Sequence, residues 1–288
     1  MITLDLDALP PLSPLAIEML ALRIEDDDAE RKLIRILSSE PQLAARIIAM
    51  ANSAAFGLSR LQFATVPLAL RRICLRRALQ LCTGALFGHP VSERLAPRTR
   101  LQLWLHALAM ATAASELARI KHLPHAEEAY LAGLLHDLGY MLAELESAGI
   151  IESIAHRAAD NGLSMEAAEV EILGSEHGEV TALLLTHWGV PDPYCAMFRR
   201  HHATPSDPRS IQAILFSAEK LVRLDVFADE LFGDRDHLFA DALLPLEGVG
   251  GHLLQEMQVD AHELSRIVDR VLGQVATISG LATEMAAA

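Results

Sequence analysis

The residues of this chain best suited to chemistry are imidazoles and carboxylates in its second half: His106, His136, Asp137, His177, His201, His202 and Glu219. Neutral imidazole nitrogens and carboxylate oxygens are the donors that hold Zn²⁺, Mn²⁺ or Fe, so the set points to a metal centre. No pair has the compact HExxH spacing, but His136-Asp137 and His201-His202 are adjacent in sequence. Successive helical side chains diverge by about 100°, so either pair serves one site only from a helix end or from opposite sides of a helix.

Composition narrows what such a centre could serve. Across 288 residues, 24 Lys and Arg stand against 38 Asp and Glu, a formal charge of −14 with the 13 histidines counted neutral. That balance disfavours a nucleic-acid binder, which must neutralise phosphates along a backbone. Cysteines 74, 82 and 195 are odd in number and lack CxxC spacing, which argues for a reducing compartment, with the cytoplasm expected, and against thiolate zinc. No uncharged apolar run reaches the length of a membrane span, so no membrane partner is expected, and the opening MITLDLDALPPLSP carries acids where a secretory signal carries bases.

The elements that must position these residues read as helices almost throughout, because apolar residues recur at helical spacing and no alternating run is bounded by turn residues. The expected fold is all-α. Pro14 to Leu22 predicts a first helix, and Asp27 or Asp28 caps a second that presents Leu33, Ile36 and Leu37. Ser39-Glu40-Pro41 reads as N-cap, acid and first-turn proline of a third, presenting Leu43, Ile47, Ile48 and Ala51 and ending at Gly57. Asn52-Ser53 reads as a structural cap. Thr65-Val66-Pro67 opens a helix with Leu70, Ile73 and Cys74 on its face and arginines 71, 72, 76 and 77 on a wet flank, and Cys74 and Cys82 read as small core residues of that one helix. The Gly- and Pro-containing stretch 84–100 marks a boundary, giving an N-terminal helical lobe over 1–90 and a larger lobe over 91–288.

In the second lobe, long amphipathic helices are expected over about 100–120 and about 125–145. Asn161-Gly162 stops a third, Ser164 and Ser175 are candidate N-caps, and Gly189-Val190-Pro191 breaks the chain before a short helix through Phe198. A helix follows over about 208–224, then an acidic turn-rich stretch near Gly233-Asp234. Asp260 and Glu263 have the spacing of a reciprocal cap that starts a last helix. His187, beside Trp188, is expected to pack or to bond behind the centre, while His156, His237, His252 and His262 read as surface residues.

At these residues the chain resembles the HDOD proteins, regulatory members of the HD phosphohydrolase superfamily. The matching segments are LPPLSPLAIEML, SSEPQLAARIIAMANSAAFG and TVPLALRRI in the first lobe, then LWLHALAMA, AYLAGLLHDLGYML, SEHGEVTALLLTHWGVP and RRHHATP in the second. The resemblance implies an N-terminal helical lobe packed on an HD-like helical core. It also implies that His106, His136, Asp137 and Glu219, the last standing where an aspartate is usual, hold one metal. His177, His201 and His202 then match the histidines that dinuclear HD hydrolases use for a second, with Asp137 bridging. The cofactor implied is one or two divalent transition-metal ions, Fe, Mn or Zn.

Three departures weigh against hydrolysis. Tyr140 stands where the HDxGK pattern of HD-GYP enzymes has a lysine to meet substrate phosphate, Gln102 stands where a glutamate is found, and no GYP segment follows His201-His202, which disfavours cyclic-di-GMP hydrolysis. Were the site active, Asp137 with water held by metal would be the catalytic element, and Arg199 and Arg200 the available phosphate contacts. The reading that follows is a signal-transduction module with a retained metal site, acting on a protein partner or a small phosphorylated ligand. The alternative is a metal-dependent phosphohydrolase acting on a nucleotide or other phosphoester.

Overall fold

The computed structural model describes residues 14–20, 22, 26–52, 63–79, 82, 94–123, 126–190, 192–222 and 259–273. Among them every regular element is a helix and none is a strand, so the fold is all-α. The described residues fall into two compact units, 14–82 and 94–273.

In the first unit, α1 (Pro14–Leu20), α2 (Ala29–Ser39), α3 (Pro41–Asn52) and α4 (Val66–Ile73) enclose one apolar cluster. Helix α2 contributes Leu33, Ile36 and Leu37, α3 contributes Leu43, Ile47 and Ala51, and α4 contributes Val66, Ala69, Leu70 and Ile73. These positions recur at three and four residues, which is why the chain coils here: each fully buried Leu or Ile gains about 1.5–3 kcal/mol over exposure. The Asn52 side chain fastens the end of α3 to the approach to α4, donating to the carbonyl of Phe63 at 2.8 Å and accepting its N–H at 2.8 Å.

Two expectations for this unit are corrected. Ser39 is the last residue of α2, its hydroxyl donating back to the Ile36 carbonyl at 2.8 Å, so α3 starts without a Ser cap. Cys74 is not a core residue on the helix of Cys82: it ends α4 at φ 72° and is exposed, whereas Cys82 is buried. Gly57, Gly233 and Asp234, as well as His237 and His252, lie outside the described residues. Burial pushes the Cys82 thiol up to about 12, and Cys195 is buried as well. Because the thiolate is the nucleophile, native protein at pH 8 is expected to be alkylated by iodoacetamide at Cys74 alone and at all three cysteines once denatured, read by peptide mass spectrometry.

The second unit is built around α5 (Pro97–Ile120). Expected to be amphipathic, this helix is instead buried on nearly every side from Leu103 to Ala118, and Ala107, Ala109, Ala111, Ala113 and Ala114 keep it thin enough for neighbours to close in. Helix α6 (Ala126–Leu135) packs on it most extensively, at Gly133: a Cβ there would sit 2.7 Å from the backbone of Met110 and Ala111. The segment expected as one helix over 125–145 breaks at His136-Asp137 and resumes as α7 (Leu138–Glu146).

Helix α8 (Ile150–Asn161) starts at Gly149, φ 80°, where the buried Glu144 carboxylate accepts the N–H groups of Gly149 at 2.6 Å and Ile151 at 3.3 Å. It stops at Gly162 as expected. Ser164 caps α9 (Met165–Leu173), accepting from the Ala167 N–H at 3.2 Å. Helix α10 (His177–His187) packs against α7 and α11 (Asp192–Phe198), and α12 (Ile211–Val222) packs on α5 and α6. Asp260 and Glu263 exchange reciprocal 2.8 Å bonds at the start of a helix over 261–273. Within the described residues no helix is long and apolar enough to cross a membrane.

Candidate metal centre

The break between α6 and α7 is what brings His136 and Asp137 to one place. Asp137 occupies the N-cap position of α7, yet its carboxylate makes no cap bond and turns to the histidines instead. The turn is held from behind: the Thr181 hydroxyl of α10 donates to the His136 carbonyl at 2.8 Å and accepts the Gly139 N–H at 2.9 Å. A Cβ at Gly139 would lie 2.2 Å from the His177 carbonyl oxygen, so only glycine lets α7 come this close to α10.

Asp137 faces two groups of imidazoles at once. Its Oδ2 lies 3.2 Å from His106 Nε2 and 3.1 Å from His136 Nε2, while its Oδ1 lies 3.3 Å from His177 Nε2. Glu219 on α12 brings Oε2 to 3.6 Å from His136 Nε2 and 4.0 Å from His106 Nε2. On the other side, His177 Nε2 is 3.2 Å from His201 Nε2 and 3.1 Å from His202 Nε2. His106, His136 and Asp137 offer three donor atoms within 4.8 Å of one another, and His177, His201 and His202 do the same. All seven residues expected from sequence therefore meet in one region, and all but the half-buried His202 are buried.

The arrangement fits a cation better than it fits a closed hydrogen-bond network. His136 Nδ1 lies 2.7 Å from the Gly133 carbonyl and His201 Nδ1 lies 2.7 Å from the Phe198 carbonyl. A carbonyl only accepts, so both Nδ1 atoms carry a proton, and in the neutral rings both Nε2 atoms present lone pairs. His136 Nε2 is buried and closes no hydrogen bond of good geometry despite its carboxylate neighbours. On the other side His201 Nε2 and His202 Nε2 both converge on His177 Nε2, at 3.2 and 3.1 Å, an arrangement of ring nitrogens that a cation between them would satisfy.

Without metal, protons supply that charge. Burial lowers the His136 imidazole, but the Asp137 and then the Glu219 carboxylates more than reverse this and raise it to about 9. Burial opposes His177 too, yet bonds to Asp137 and Glu169 raise it to about 10. Burial alone would raise Asp137; the His136 charge and the close approach of His106, His136 and His177 hold it well below the usual carboxylate range. His201 is driven well below an ordinary histidine by burial and then by the charges of His202, His177 and His136.

Sequence reasoning passed over Glu169. This α9 carboxylate is fully buried and accepts the His177 backbone N–H at 2.7 Å, lies 2.9 Å from His177 Nδ1 through both oxygens, and accepts the hydroxyl of Tyr140. It thus caps α10, where Ser175 had been expected to. The available signal was an acid among the apolar positions of EAAEVEIL, one helical turn before the buried Leu173. Tyr140 stacks on His177 with ring centroids 4.1 Å apart, and Gln102 lies half-buried on α5 one turn before His106. Arg199 pairs with Glu179 at 3.2 Å, and Arg200 is exposed. His187 is exposed at the end of α10 rather than packed behind the centre, and His156 and His262 are exposed as expected.

Comparison with known proteins agrees with this architecture. The chain is similar to an uncharacterized protein from Treponema pallidum (strain Nichols), 22% identical over 275 residues, covering 93% of this chain and 49% of that protein. It thus spans about half the length of that curated relative. Among solved structures it resembles an HDOD domain protein of unknown function from Geobacter sulfurreducens, with a TM-score of 0.67, 20% identity and coverage of 97% of this chain and 91% of that one. A Marinobacter aquaeolei VT8 protein provisionally described as a signal transduction protein gives 0.71 at 22% identity, covering 98% and 60%. A Shewanella amazonensis SB2B protein provisionally described as a phosphohydrolase gives 0.62 at 20% identity, covering 94% of both chains. The HDOD domain pattern itself matches residues 9–204, about two thirds of the sequence, and the chain belongs to the HDOD domain family.

Proposed function

We propose that this chain is a regulatory HDOD module whose buried centre holds one or two divalent transition-metal ions, and which passes a signal to a protein partner or answers a small phosphorylated ligand. His106, His136, Asp137 and Glu219 would hold the first ion. His177, His201 and His202 would hold the second, with Asp137 shared. A divalent ion there supplies Lewis acidity toward a phosphoryl or other anionic oxygen. The protein's own groups set the frame: the Gly133 and Phe198 carbonyls orient His136 and His201, and Asp137 opposes the positive charge from both sides.

The observation that carries regulation over hydrolysis is Tyr140. Where HD-GYP enzymes carry a lysine for substrate phosphate, this chain has a phenol whose proton is donated to Glu169 and whose ring is stacked on His177. Phosphoryl transfer is catalysed largely by positive charge placed around the phosphate. Of the two arginines that could meet a phosphate, Arg199 is engaged by Glu179 and Arg200 is exposed. The second reading, a metal-dependent phosphohydrolase, draws on the complete ligand set and on the Shewanella structure's description.

Purified protein loaded with Mn²⁺ or Fe²⁺ is expected to retain metal by elemental analysis. It is also expected to hydrolyse bis(p-nitrophenyl) phosphate and a nucleotide panel no faster than the His136→Ala variant. Rapid hydrolysis that His136→Ala abolishes would establish the second reading, and protein that stays both metal-free and inert would sink the metal assignment.

A further inference from the structure

The two halves of the centre are supported differently. His136 and His201 rest their Nδ1 atoms on neutral backbone carbonyls, each three residues earlier in the chain. His177 rests its Nδ1 on the Glu169 carboxylate, and Glu166, one helical turn earlier on α9, brings Oε1 to 3.7 Å from His202 Nδ1. Helix α9 thus sets a carboxylate behind two of the three histidines on one side. A carboxylate behind an imidazole fixes which nitrogen bears the proton and makes the opposite nitrogen a stronger donor. A carbonyl does the first more than the second, because it carries no net charge.

We propose that Glu169 is a positioning residue for the His177, His201 and His202 half, holding His177 so that its Nε2 faces that cluster and Asp137, and giving that half its affinity for a divalent ion. The inference rests on the metal reading above. Capping explains only part of the geometry, because one carboxylate oxygen suffices for the first amide of α10. Glu169 spends both oxygens on the ring nitrogen and takes the Tyr140 hydroxyl as well. Tyr140 closes the arrangement from the far side, fixing the carboxylate by its hydroxyl and the imidazole plane by its ring.

The test is titration of chelator-treated full-length protein with Co²⁺, following the visible absorption bands of the bound ion and the stoichiometry by elemental analysis. Glu169→Gln keeps the shape of the side chain and removes its charge. Wild type is expected to take two Co²⁺, whereas Glu169→Gln is expected to bind one with unchanged affinity and the other about 10–100-fold more weakly, the usual effect of losing such a supporting group. Glu144→Gln, the same change at a buried helix-capping glutamate that touches none of the seven ligands, is expected to lower the melting temperature and leave both affinities intact. Glu166→Gln, at a half-exposed position that folding tolerates more readily, is expected to weaken the same ion several-fold. Two ions bound by Glu169→Gln and Glu166→Gln as tightly as by wild type, or an equal loss of both, would overturn the assignment while leaving the metal reading standing. Wild type that takes up fewer than two Co²⁺ would overturn the two-ion reading and this inference with it.

Discussion

Replacing Asp137 with asparagine is expected to empty both halves of the centre at once, whereas replacing any other single ligand empties one. Asp137 sends Oδ2 to His106 and His136 and Oδ1 to His177, all between 3.1 and 3.3 Å, so on the proposed assignment it is the one residue common to both ions. An asparagine brings no charge and replaces one oxygen with an NH₂ donor that faces lone pairs on one side of the site. Even supporting groups behind metal ligands are worth about 10–100-fold in affinity, so loss of a shared ligand is expected to reach on the order of 100-fold or more for each ion. Elemental analysis after dialysis against micromolar Mn²⁺ reads this directly. His201→Ala is the comparison that should lose one ion only. Asparagine that retains both would show that Asp137 is not shared.

The same substitution also tests the metal-free fold. Asp137 opposes imidazoles whose positive charge is buried with it, and removing one partner of a buried charge pair costs about 3–5 kcal/mol because the other is left uncompensated. The chelated variant is therefore expected to unfold at clearly lower urea than chelated wild type.

Gly139→Ala is expected to be the most damaging small substitution in the second unit. The added methyl would lie 2.2 Å from the His177 carbonyl and 3.0 Å from both the amide nitrogen and the hydroxyl of Thr181. Two of these are backbone atoms of α10, which no change of rotamer can move. The helices must separate, and the pair of bonds by which Thr181 ties Gly139 to His136 opens with them. Overpacking of this kind costs about 3 kcal/mol or more, a fall of about 6–12 °C in melting temperature for a unit of this size. Gly273→Ala, at a position with nothing within 4 Å of its Cβ, is the comparison expected to leave stability unchanged or slightly raised. A Gly139→Ala protein that melts with wild type would mean that α7 and α10 are not packed this closely.

The residues that gather at the candidate centre were legible in the sequence because imidazoles and carboxylates stand out from an apolar background and because their segments resemble a known family. Helix limits were legible where a residue has one dominant preference, as at Gly162 at φ 62° and in the reciprocal cap of Asp260 and Glu263. The break at His136-Asp137 was not, since AYLAGLLHDLGYML keeps helical periodicity straight through it. The chain gives up helical pairing there in exchange for bonds from Thr181 of α10, 42 and 45 residues away, which no local pattern encodes. Ser39 failed for a related reason: its hydroxyl can serve the helix before it or the one after it, and only packing decides. Glu169 was overlooked because a single acid in a helix is usually solvated, and its burial depends on Tyr140 and His177 arriving from two other elements.

The spacing of the five segments that meet at the candidate centre has a consequence for how the chain acquires its native state. Steps of 30, 40, 24 and 17 residues separate His106, the 136–137 pair, His177, the 201–202 pair and Glu219. On the proposed assignment each ion joins three of these segments, and drawing them together in an unfolded chain costs entropy for both loops that close. Docking of the helices would meet that cost in advance, leaving an ion to seal an assembled bundle. An ion at a hundred times its dissociation constant would then add about 2.7 kcal/mol to the finished structure and nothing to a partly built one. On the proposed assignment, occupancy of the centre would serve as a proofreading mark: only a chain whose α5, α6, α10 and α12 are all in register would carry it.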